Sequence, residues 1–297
     1  MSDKHAYLIM AHDQYNILCM LLKDIDDERN DIFLHLDKKS KNIPWKSIKK
    51  SVCKSNLYIV KQKRVNWGGY SQIDCEIHLL ENAKEKGKYQ YYHFLCGTEY
   101  PIKSQDDIHA FFNDNKGKQF LEYDENDKDY TKRIKYIHLF NENGRPNIRK
   151  PVLYIGYKIK EIGISLQKRL GIDLCQKYNY AFKKGNANWS ITDDLVEYIL
   201  SKKEEIKKIY KHSYCADEIY LHTLVYNSSL FRERVYLESG KTSNARKQQW
   251  DRIDNCYVSD DVESLVMSQA LFARKFSGEE GERAIKKVIF LRNRNLQ

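Results

Sequence analysis

Short apolar segments alternate with helix-compatible segments through the first third of the chain, and this alternation is the strongest constraint on its fold. Residues 6–11, 31–37 and 91–96 are apolar runs of strand length. The intervening segments, such as 15–25 and 72–84, carry apolar residues at helical spacing. Parallel strands connected by helices produce this order. We therefore predict an α/β fold with a mostly parallel central sheet flanked by helices.

The rest of the chain extends this pattern with less regular spacing. We predict further strands at residues 57–60 and 119–123, and further helices at 104–112, at 154–170, from Thr192 or Asp193 to Leu200, and at 262–272. Residues 124–150 are polar and are assigned to no element. No repeat and no linker-like tract of Gly, Ser or Pro interrupts the chain, which favours one domain over residues 1–297.

The chain is basic, with 51 Lys and Arg residues against 41 Asp and Glu residues and a formal net charge of +10. A basic protein can bind nucleic acid, anionic lipid or a phosphorylated substrate. The cations here are scattered among acids, and no zinc-finger, basic-zipper or RNA-recognition pattern occurs. We predict no nucleic-acid partner, and we keep an anionic membrane surface as a possible peripheral contact.

The cysteine content and the hydropathy of the sequence indicate the cellular compartment in which the protein is located. The seven cysteines are odd in number, and no two have CxxC spacing. They are therefore predicted to be free thiols in a reducing environment. The sequence enters its first apolar run without a signal-peptide pattern, and no apolar window approaches the roughly 20 residues that a membrane span needs. We predict a cytoplasmic protein that is at most peripheral at the inner face of a membrane.

Polar residues follow several predicted strands, where parallel α/β sheets bind their ligands. His12, Asp37, Glu99 and Glu122 lie at these strand ends. For each residue alone, turn formation is the competing explanation, because Asp and His are common where strands end. Their accumulation at one edge of the sheet predicts a binding site.

Two further segments supply the residue types that group transfer requires. Asp217 and Glu218 begin an apolar, helix-compatible run, and Lys275 lies between Phe272 and Phe276. A carboxylate can take a proton from a hydroxyl group, and a fixed cation can stabilise an anionic leaving group. The competing explanations are a helix-start acid favoured by the helix dipole and an ordinary surface lysine.

Six sequence pieces, taken together and in order, resemble one known family. They are residues 6–9 with His12, 33–39, 95–103, Trp189–Ser190, Asp217–Glu218 and 271–276. In these pieces the chain resembles the core-2/I-branching β-1,6-N-acetylglucosaminyltransferase family, glycosyltransferase family 14, which also contains peptide xylosyltransferases. The resemblance implies a GT-A-like fold, inverting transfer from a UDP-sugar and no metal requirement. It also implies a nucleotide-sugar half at about residues 1–120 and an acceptor half at about 121–297.

The resemblance assigns roles to individual positions. Glu218 falls on the catalytic base, and Arg252 and Lys275 fall on the cations that bind the UDP diphosphate. His12 and Asp37 fall on the nucleotide site. The acceptor side is predicted to comprise Glu122, Arg133, Asp217 and Trp189. For Asp217 we favour a supporting or capping role. Trp189, like Trp67 and Tyr70, can either stack on a sugar ring or pack in the core.

Metal ions assist many glycosyltransferases through a DxD pair placed directly after a strand. Here Asp24–Asp26 lies late in a helical run, and Asp127–Asp129 lies in a polar loop. No cluster has zinc-ligand spacing. We therefore predict no metal and no cofactor, with Arg252 and Lys275 stabilising the leaving group instead.

Together these features predict an inverting, metal-independent glycosyltransferase that moves N-acetylglucosamine from UDP to a sugar hydroxyl. Xylose is the alternative donor sugar. The absence of a leader pattern favours a bacterial-type enzyme of surface-polysaccharide synthesis, acting on an oligosaccharide or a lipid-linked saccharide. A non-catalytic carbohydrate- or polyanion-binding protein of the same fold is the rival hypothesis.

Overall fold

A computed structural model of the chain describes residues 3–124, 126, 129–143, 151–250, 252 and 254–294. In chain order the strands are His5–Ala11 (β1), Asn30–Leu36 (β2), Asn56–Ile59 (β3), Tyr91–Cys96 (β4), Glu99–Pro101 (β5), Trp189–Thr192 (β6), Leu237–Glu238 (β7), Lys241–Thr242 (β8), Arg246–Gln248 (β9) and Phe272–Arg274 (β10). The helices are Tyr15–Asp24 (α1), Trp45–Lys50 (α2), Ser71–Lys86 (α3), Gln105–Asp114 (α4), Lys132–Lys135 (α5), Pro151–Arg169 (α6), Asp193–Ser201 (α7), Lys203–Tyr210 (α8), Tyr220–Tyr226 (α9), Ser229–Arg232 (α10), Val262–Met267 (α11) and Gly278–Arg294 (α12).

The central sheet has five strands in the order β3-β2-β1-β4-β6. The first four are parallel, and β6 adds to the edge antiparallel to β4. This confirms the predicted α/β fold with a mostly parallel sheet. A smaller sheet, in the order β5-β10-β9, joins residues just after β4 to residues near the end of the chain.

Strand β1 shows how the sheet separates two cores. Tyr7, Ile9 and Ala11 face a cluster that includes α1, α4 and α12 residues. Ala6 and Leu8 face the opposite cluster, which includes α3, α7 and α9 residues. Alternate side chains of a strand point to opposite faces. A strand buried on both faces therefore has an unbroken apolar sequence, which is why the sequence predicted β1, β2 and β4 correctly.

Helix boundaries follow recognisable capping signals. Ser104 is the N-cap of α4, and its hydroxyl accepts from the backbone N–H of Asp107 at 3.1 Å, completing a capping box. Thr192, one of the two predicted N-caps of α7, occupies that position without a capping hydrogen bond from its side chain. Helix α6 confirms the predicted helix at 154–170.

Within the described ranges, no helix combines the length and apolar character that crossing a bilayer requires.

Two predicted elements were wrong. Residues 119–123 form only isolated bridges, with Val235, Ser190 and Gly185, and not a strand. The helix predicted at 262–272 ends at Met267, and Phe272–Arg274 instead forms β10. Its apolar sequence fits either a helix or a strand, and pairing with β5 and β9 decides between them.

Candidate functional site

A cleft of about 320 Å³ opens at the carboxyl ends of β1, β2 and β4. His12 and Asp37, which follow β1 and β2, both line it, together with Trp67, Gln72 and Cys96. The Asp37 carboxylate is held in place because Oδ1 accepts from the N–H of Lys39 at 2.8 Å. The structure thus brings the two predicted nucleotide-binding residues together in one cleft.

Gln72 connects this cleft to the predicted catalytic segment. Its Nε2 donates to Oδ2 of Asp217 at 2.8 Å, and its Oε1 accepts from the N–H of Gly68 at 2.5 Å. Asp217 and Glu218 lie in a short 3₁₀ helix, Ala216–Glu218, just before α9. A residue of the cleft wall therefore holds the neighbour of the predicted base.

Asp217 is buried, with 8% of its surface exposed. Its Oδ1 has no hydrogen-bond partner among the described residues. Burial, followed by the charge of Glu218, raises the pKa of Asp217 to about 7. This placement fits the supporting role better than a direct contact with an acceptor.

Glu218 is more accessible, with 35% of its side chain exposed, and cations surround one of its oxygens. Oε2 accepts from Nη1 of Arg133 at 2.6 Å and lies 3.8 Å from Nζ of Lys184. Within the described part of the chain, Oε1 accepts no hydrogen bond. One oxygen is thus anchored, and the other can receive a proton from an incoming hydroxyl.

Gly185 brings the predicted acceptor residue Glu122 next to this carboxylate segment. Its N–H donates to the carbonyl of Glu218 at 2.9 Å. A Cβ at this position would lie 1.9 Å from the carbonyl oxygen of Glu122 and 2.3 Å from Nε2 of His222. The Glu122 carboxylate accepts from Nδ2 of Asn186 at 2.6 Å, and burial raises its pKa. The structure therefore brings Glu122, Arg133 and Glu218 together in one cluster.

Arg274 is a site residue that the sequence analysis missed. Its Nη1 donates to Oδ1 of Asn188 at 2.7 Å. Burial lowers its pKa, but nearby acidic groups, Cys96 and Glu99 before the Asp217–Glu218 pair, raise it overall. Arg274 is therefore a half-buried cation whose neighbouring acids include the predicted base. It lies inside the 271–276 segment, in which only Lys275 was predicted to bind a ligand.

A fully buried ion pair holds Asn188, the residue that binds Arg274. Nε of Arg246 donates to Oε1 of Glu99 at 2.8 Å, and both side chains have no exposed surface. The other oxygen of Glu99 accepts from Nδ2 of Asn188 at 2.5 Å. Because Asn188 also contacts Arg274, the pair fixes the position of that cation. Glu99 was predicted at the site because it follows a strand, whereas its partner Arg246 was not predicted.

The two predicted diphosphate-binding cations meet at the segment Cys256–Tyr257. Arg252 donates to the carbonyl of Cys256 at 3.1 Å, and its guanidinium also binds both oxygens of Asp261. The carbonyl of Lys275 accepts from the N–H of Tyr257 at 2.9 Å. The ammonium group of Lys275, in contrast, has no ion-pair partner among the residues that the structure describes. Lys275 is thus the more available cation.

Lys275 also lies close to the cleft along the backbone. The next residue, Phe276, donates its N–H to the carbonyl of Thr98 at 2.9 Å. The hydroxyl of Thr98 is 3.4 Å from the Cys96 thiol, and Cys96 lines the cleft. The C-terminal strand β10 therefore places Lys275 at the edge where β4 ends.

The prediction that Trp189 contacts the acceptor is wrong. Trp189 starts strand β6, has no exposed surface, and its ring stacks on Phe94 with centroids 5.2 Å apart. A ring enclosed in the core cannot stack on a sugar. The alternative of core packing is the correct one, whereas Trp67 is 43% exposed and lines the cleft.

The two DxD pairs, Asp24–Asp26 and Asp127–Asp129, are not arranged as metal ligands among the residues that the structure describes. Asp24 pairs with Arg292, and Asp26 accepts from the backbone N–H groups of residues 53–55. Asp127 lies outside the described residues. Among the described residues, no three His, Cys, Asp or Glu side chains are grouped to hold a metal ion.

The raised pKa of Asp217 predicts a pH-dependent contribution to stability. Its folded pKa, about 7, lies above the ordinary value of 3.8, so the folded state binds this proton more tightly. The contribution therefore falls as pH rises from 3.8 to about 7, by up to about 4 kcal/mol. Asp217→Asn should lack this component. Urea unfolding of both proteins at pH 5 and pH 8 measures the larger part of this fall, and parallel pH profiles would contradict the assignment.

Comparison with known proteins gives a consistent family match. The model of the family described as "Branch: Core-2/I-Branching enzyme" matches residues 5–264. Xylosyltransferase 2 of Rattus norvegicus is 22% identical over 261 residues, which cover 84% of this chain and 27% of that protein. A β-glucuronosyltransferase of Arabidopsis thaliana is 24% identical, covering 93% of this chain and 63% of its own length. The human N-acetyllactosaminide β-1,6-N-acetylglucosaminyl-transferase is 23% identical, covering 91% and 67%. The chain thus spans about a quarter of the rat relative.

Proposed function

The chain belongs to the Core-2/I-branching enzyme family, and on that premise we propose that it is a glycosyltransferase that uses a UDP-sugar donor. The environment of Glu218 is the observation that most strongly supports this proposal. This carboxylate has one oxygen fixed by Arg133 and one that accepts no hydrogen bond from the described residues, and it lies near a cleft at the carboxyl ends of the parallel strands. That arrangement suits a base that acts on a bound hydroxyl next to a bound nucleotide.

The proposed reaction is a single inverting displacement. The acceptor hydroxyl transfers its proton to Oε1 of Glu218 while its oxygen forms a bond to C1 of the donor sugar. The bond between C1 and the diphosphate oxygen breaks, and UDP departs with the electron pair. Arg133 keeps the carboxylate oriented, and Asp217, held by Gln72, supports the segment.

Fixed cations would take the place of a metal in this proposal. Lys275 lies at the edge of the cleft without a partner for its ammonium group among the described residues. Arg274, the preceding residue, is half-buried and bound to Asn188, and Arg252 is paired with Asp261. Preorganised cations stabilise charge that develops on a leaving group. We assign the UDP diphosphate to Lys275 first, with Arg252 second.

The identities of the donor sugar and the acceptor are proposed from the family match rather than from the geometry of the site. We propose N-acetylglucosamine as the transferred sugar and xylose as the alternative, because relatives named for each sugar match this chain. The proposed acceptor is an oligosaccharide or lipid-linked saccharide of a bacterial surface polysaccharide, bound near Glu122 and Arg133. The proposed location is the cytoplasmic face of the membrane.

Donor binding with and without EDTA tests the cation assignment. We expect UDP-N-acetylglucosamine to bind equally in both conditions, and Lys275→Ala to weaken binding by about 10- to 100-fold, since one charge-assisted contact is lost. Lys286→Ala, which removes an exposed lysine of α12, is the matched control and should bind normally. Isothermal calorimetry, with UDP-xylose in parallel, provides the measurement. Loss of binding in EDTA would instead require a metal.

A further inference from the structure

Exposed apolar side chains are concentrated in one part of the molecule. Of the 18 large hydrophobic residues that are exposed among the described residues, ten lie between positions 137 and 172. Large contiguous apolar surface is uncommon on a soluble protein and marks interaction sites. The function proposed above assigns no role to this region.

Helix α6 carries the centre of this surface. Ile155, Ile159, Ile162 and Leu166 are exposed by 57%, 45%, 69% and 55%, and they follow one another at intervals of four, three and four residues. This spacing aligns them along one side of a helix. We refer to these four residues as the α6 ridge. Leu170, 67% exposed, extends it beyond the end of the helix.

The opposite side of α6 is attached to the protein, which keeps the ridge directed outward. Gln167 brackets residue Ile137, accepting from its N–H at 2.8 Å and donating to its carbonyl at 3.0 Å. Nζ of Lys160 donates to Oδ1 of Asn141 at 2.8 Å and lies 3.9 Å from the centre of the Tyr214 ring. The contacts of Gln167 and Lys160 therefore hold α6 from a side other than the one that carries the ridge.

Charge next to the ridge indicates which partner it fits. Residues 151–170 contain four cations and a single acid, Glu161, which pairs with Lys158 at 3.2 Å. Lys158 and Arg169 are exposed on the turns beside the ridge. Amphipathic helices with apolar residues bordered by Lys and Arg lie in the headgroup boundary of anionic bilayers. In an antiparallel pair of α6 helices from two copies, Lys158 would approach Arg169, which disfavours self-association.

We propose that the α6 ridge docks the protein on an anionic membrane surface. The four ridge side chains and Leu170 enter the boundary between headgroups and acyl chains, and Lys158 and Arg169 contact the anionic headgroups. The net charge of +10 adds a long-range attraction to the same surface.

The ridge is linked to the acceptor side of the candidate site. Tyr214, which Lys160 covers, donates its backbone N–H to the carbonyl of Arg133 at 2.9 Å, and Arg133 binds Glu218. Docking through α6 would therefore hold the base close to the bilayer, where a lipid-linked saccharide presents its sugar. This orientation rests on the proposed function, whereas the membrane contact itself does not.

Vesicle sedimentation of the full chain tests the membrane contact. Vesicles of phosphatidylcholine alone are compared with vesicles that also contain phosphatidylglycerol, at low and high salt and without UDP-sugar. We expect binding to the anionic vesicles only, weakened by salt. The double variant Ile162→Gln/Leu166→Gln should reduce binding at least tenfold, since two apolar side chains no longer enter the boundary.

A control pair separates this surface from general hydrophobicity. Leu230 and Phe290 are each 59% exposed and lie outside the ridge, so Leu230→Gln/Phe290→Gln should bind vesicles like the wild type. Equal vesicle binding by the ridge variant would overturn the proposal. So would a wild-type protein that ignores vesicles and forms a dimer that the ridge variant abolishes, because the ridge would then be an interface between copies. UDP-sugar binding, measured in solution on the same proteins, reports separately on the proposed function.

Discussion

Replacing Glu218 with glutamine is expected to reduce sugar transfer by about 100- to 10,000-fold, the range that a general base contributes. Glutamine keeps the shape of the side chain and can still accept from Nη1 of Arg133. It cannot take the proton of the acceptor hydroxyl. UDP-sugar binding should remain close to that of the wild type, because the donor cleft is lined by other residues. Initial rates with radiolabelled donor and calorimetric donor binding measure the two quantities.

The matched control for this experiment is Glu81→Gln. Glu81 lies in the C-terminal half of α3 and pairs with Lys203 near the surface, so the same chemical change occurs away from the cleft. Its transfer rate should be unchanged. If Glu218→Gln keeps a rate within a few fold of the wild type, Glu218 is not the base, and Asp217 becomes the candidate to replace.

The second large effect concerns stability. Arg246→Met should lower the free energy of unfolding by about 3–5 kcal/mol, because it leaves the charge of Glu99 buried without its partner. The substitution also removes donors to the carbonyl of Trp189 and the hydroxyl of Ser190. Urea denaturation followed by circular dichroism measures the change. Loss of the pair should also displace Asn188 and hence Arg274.

Two comparisons connect this loss to burial of the charge. Glu280→Gln breaks an exposed ion pair with Arg283 and should change stability by less than about 1 kcal/mol. Arg246→Met combined with Glu99→Met removes both charges and should be less destabilising than Arg246→Met alone. If the double variant is the less stable protein, an unpaired charge is not the cause of the loss.

The sequence predicted those parts of the fold that depend on local pattern. Strands β1, β2 and β4 are apolar because both of their faces are buried, and this pattern needs no knowledge of their neighbours. Strand β10 depends on partners about 170 and 26 residues away along the chain, in β5 and β9. Without those partners, Phe272–Arg274 continues the apolar spacing of α11, and a helix is the natural interpretation.

The residues of the candidate site also differ in whether the local sequence is enough to identify them. His12 and Asp37 could be found because each follows a recognisable strand, and Glu218 because it begins an apolar run next to a second acid. The bond between Glu99 and Arg246 joins residues 147 positions apart, so neither residue marks the other in the sequence. Trp189 was misplaced because a tryptophan suited to stacking on sugar is equally suited to a core, and only its neighbours distinguish the two.

The apolar side of α6 shows a further limit. Helical periodicity identifies the stripe of Ile and Leu, and the usual expectation is that such a stripe faces the core. In the structure, residues such as Gln167 and Lys160 on the opposite side make the attachment to the protein. Which side of an amphipathic helix faces outward is decided by its neighbours.

Gly185 sets a limit on how this protein can vary in the course of evolution. The segments that contain Glu122, Glu218 and His222 converge around this residue so closely that one added carbon would overlap the Glu122 carbonyl. Any replacement must push the backbone of Glu218 and the backbone of Glu122 apart. This position therefore excludes even alanine. The close approach of the Glu122 and Glu218 segments thus requires that residue 185 stay a glycine.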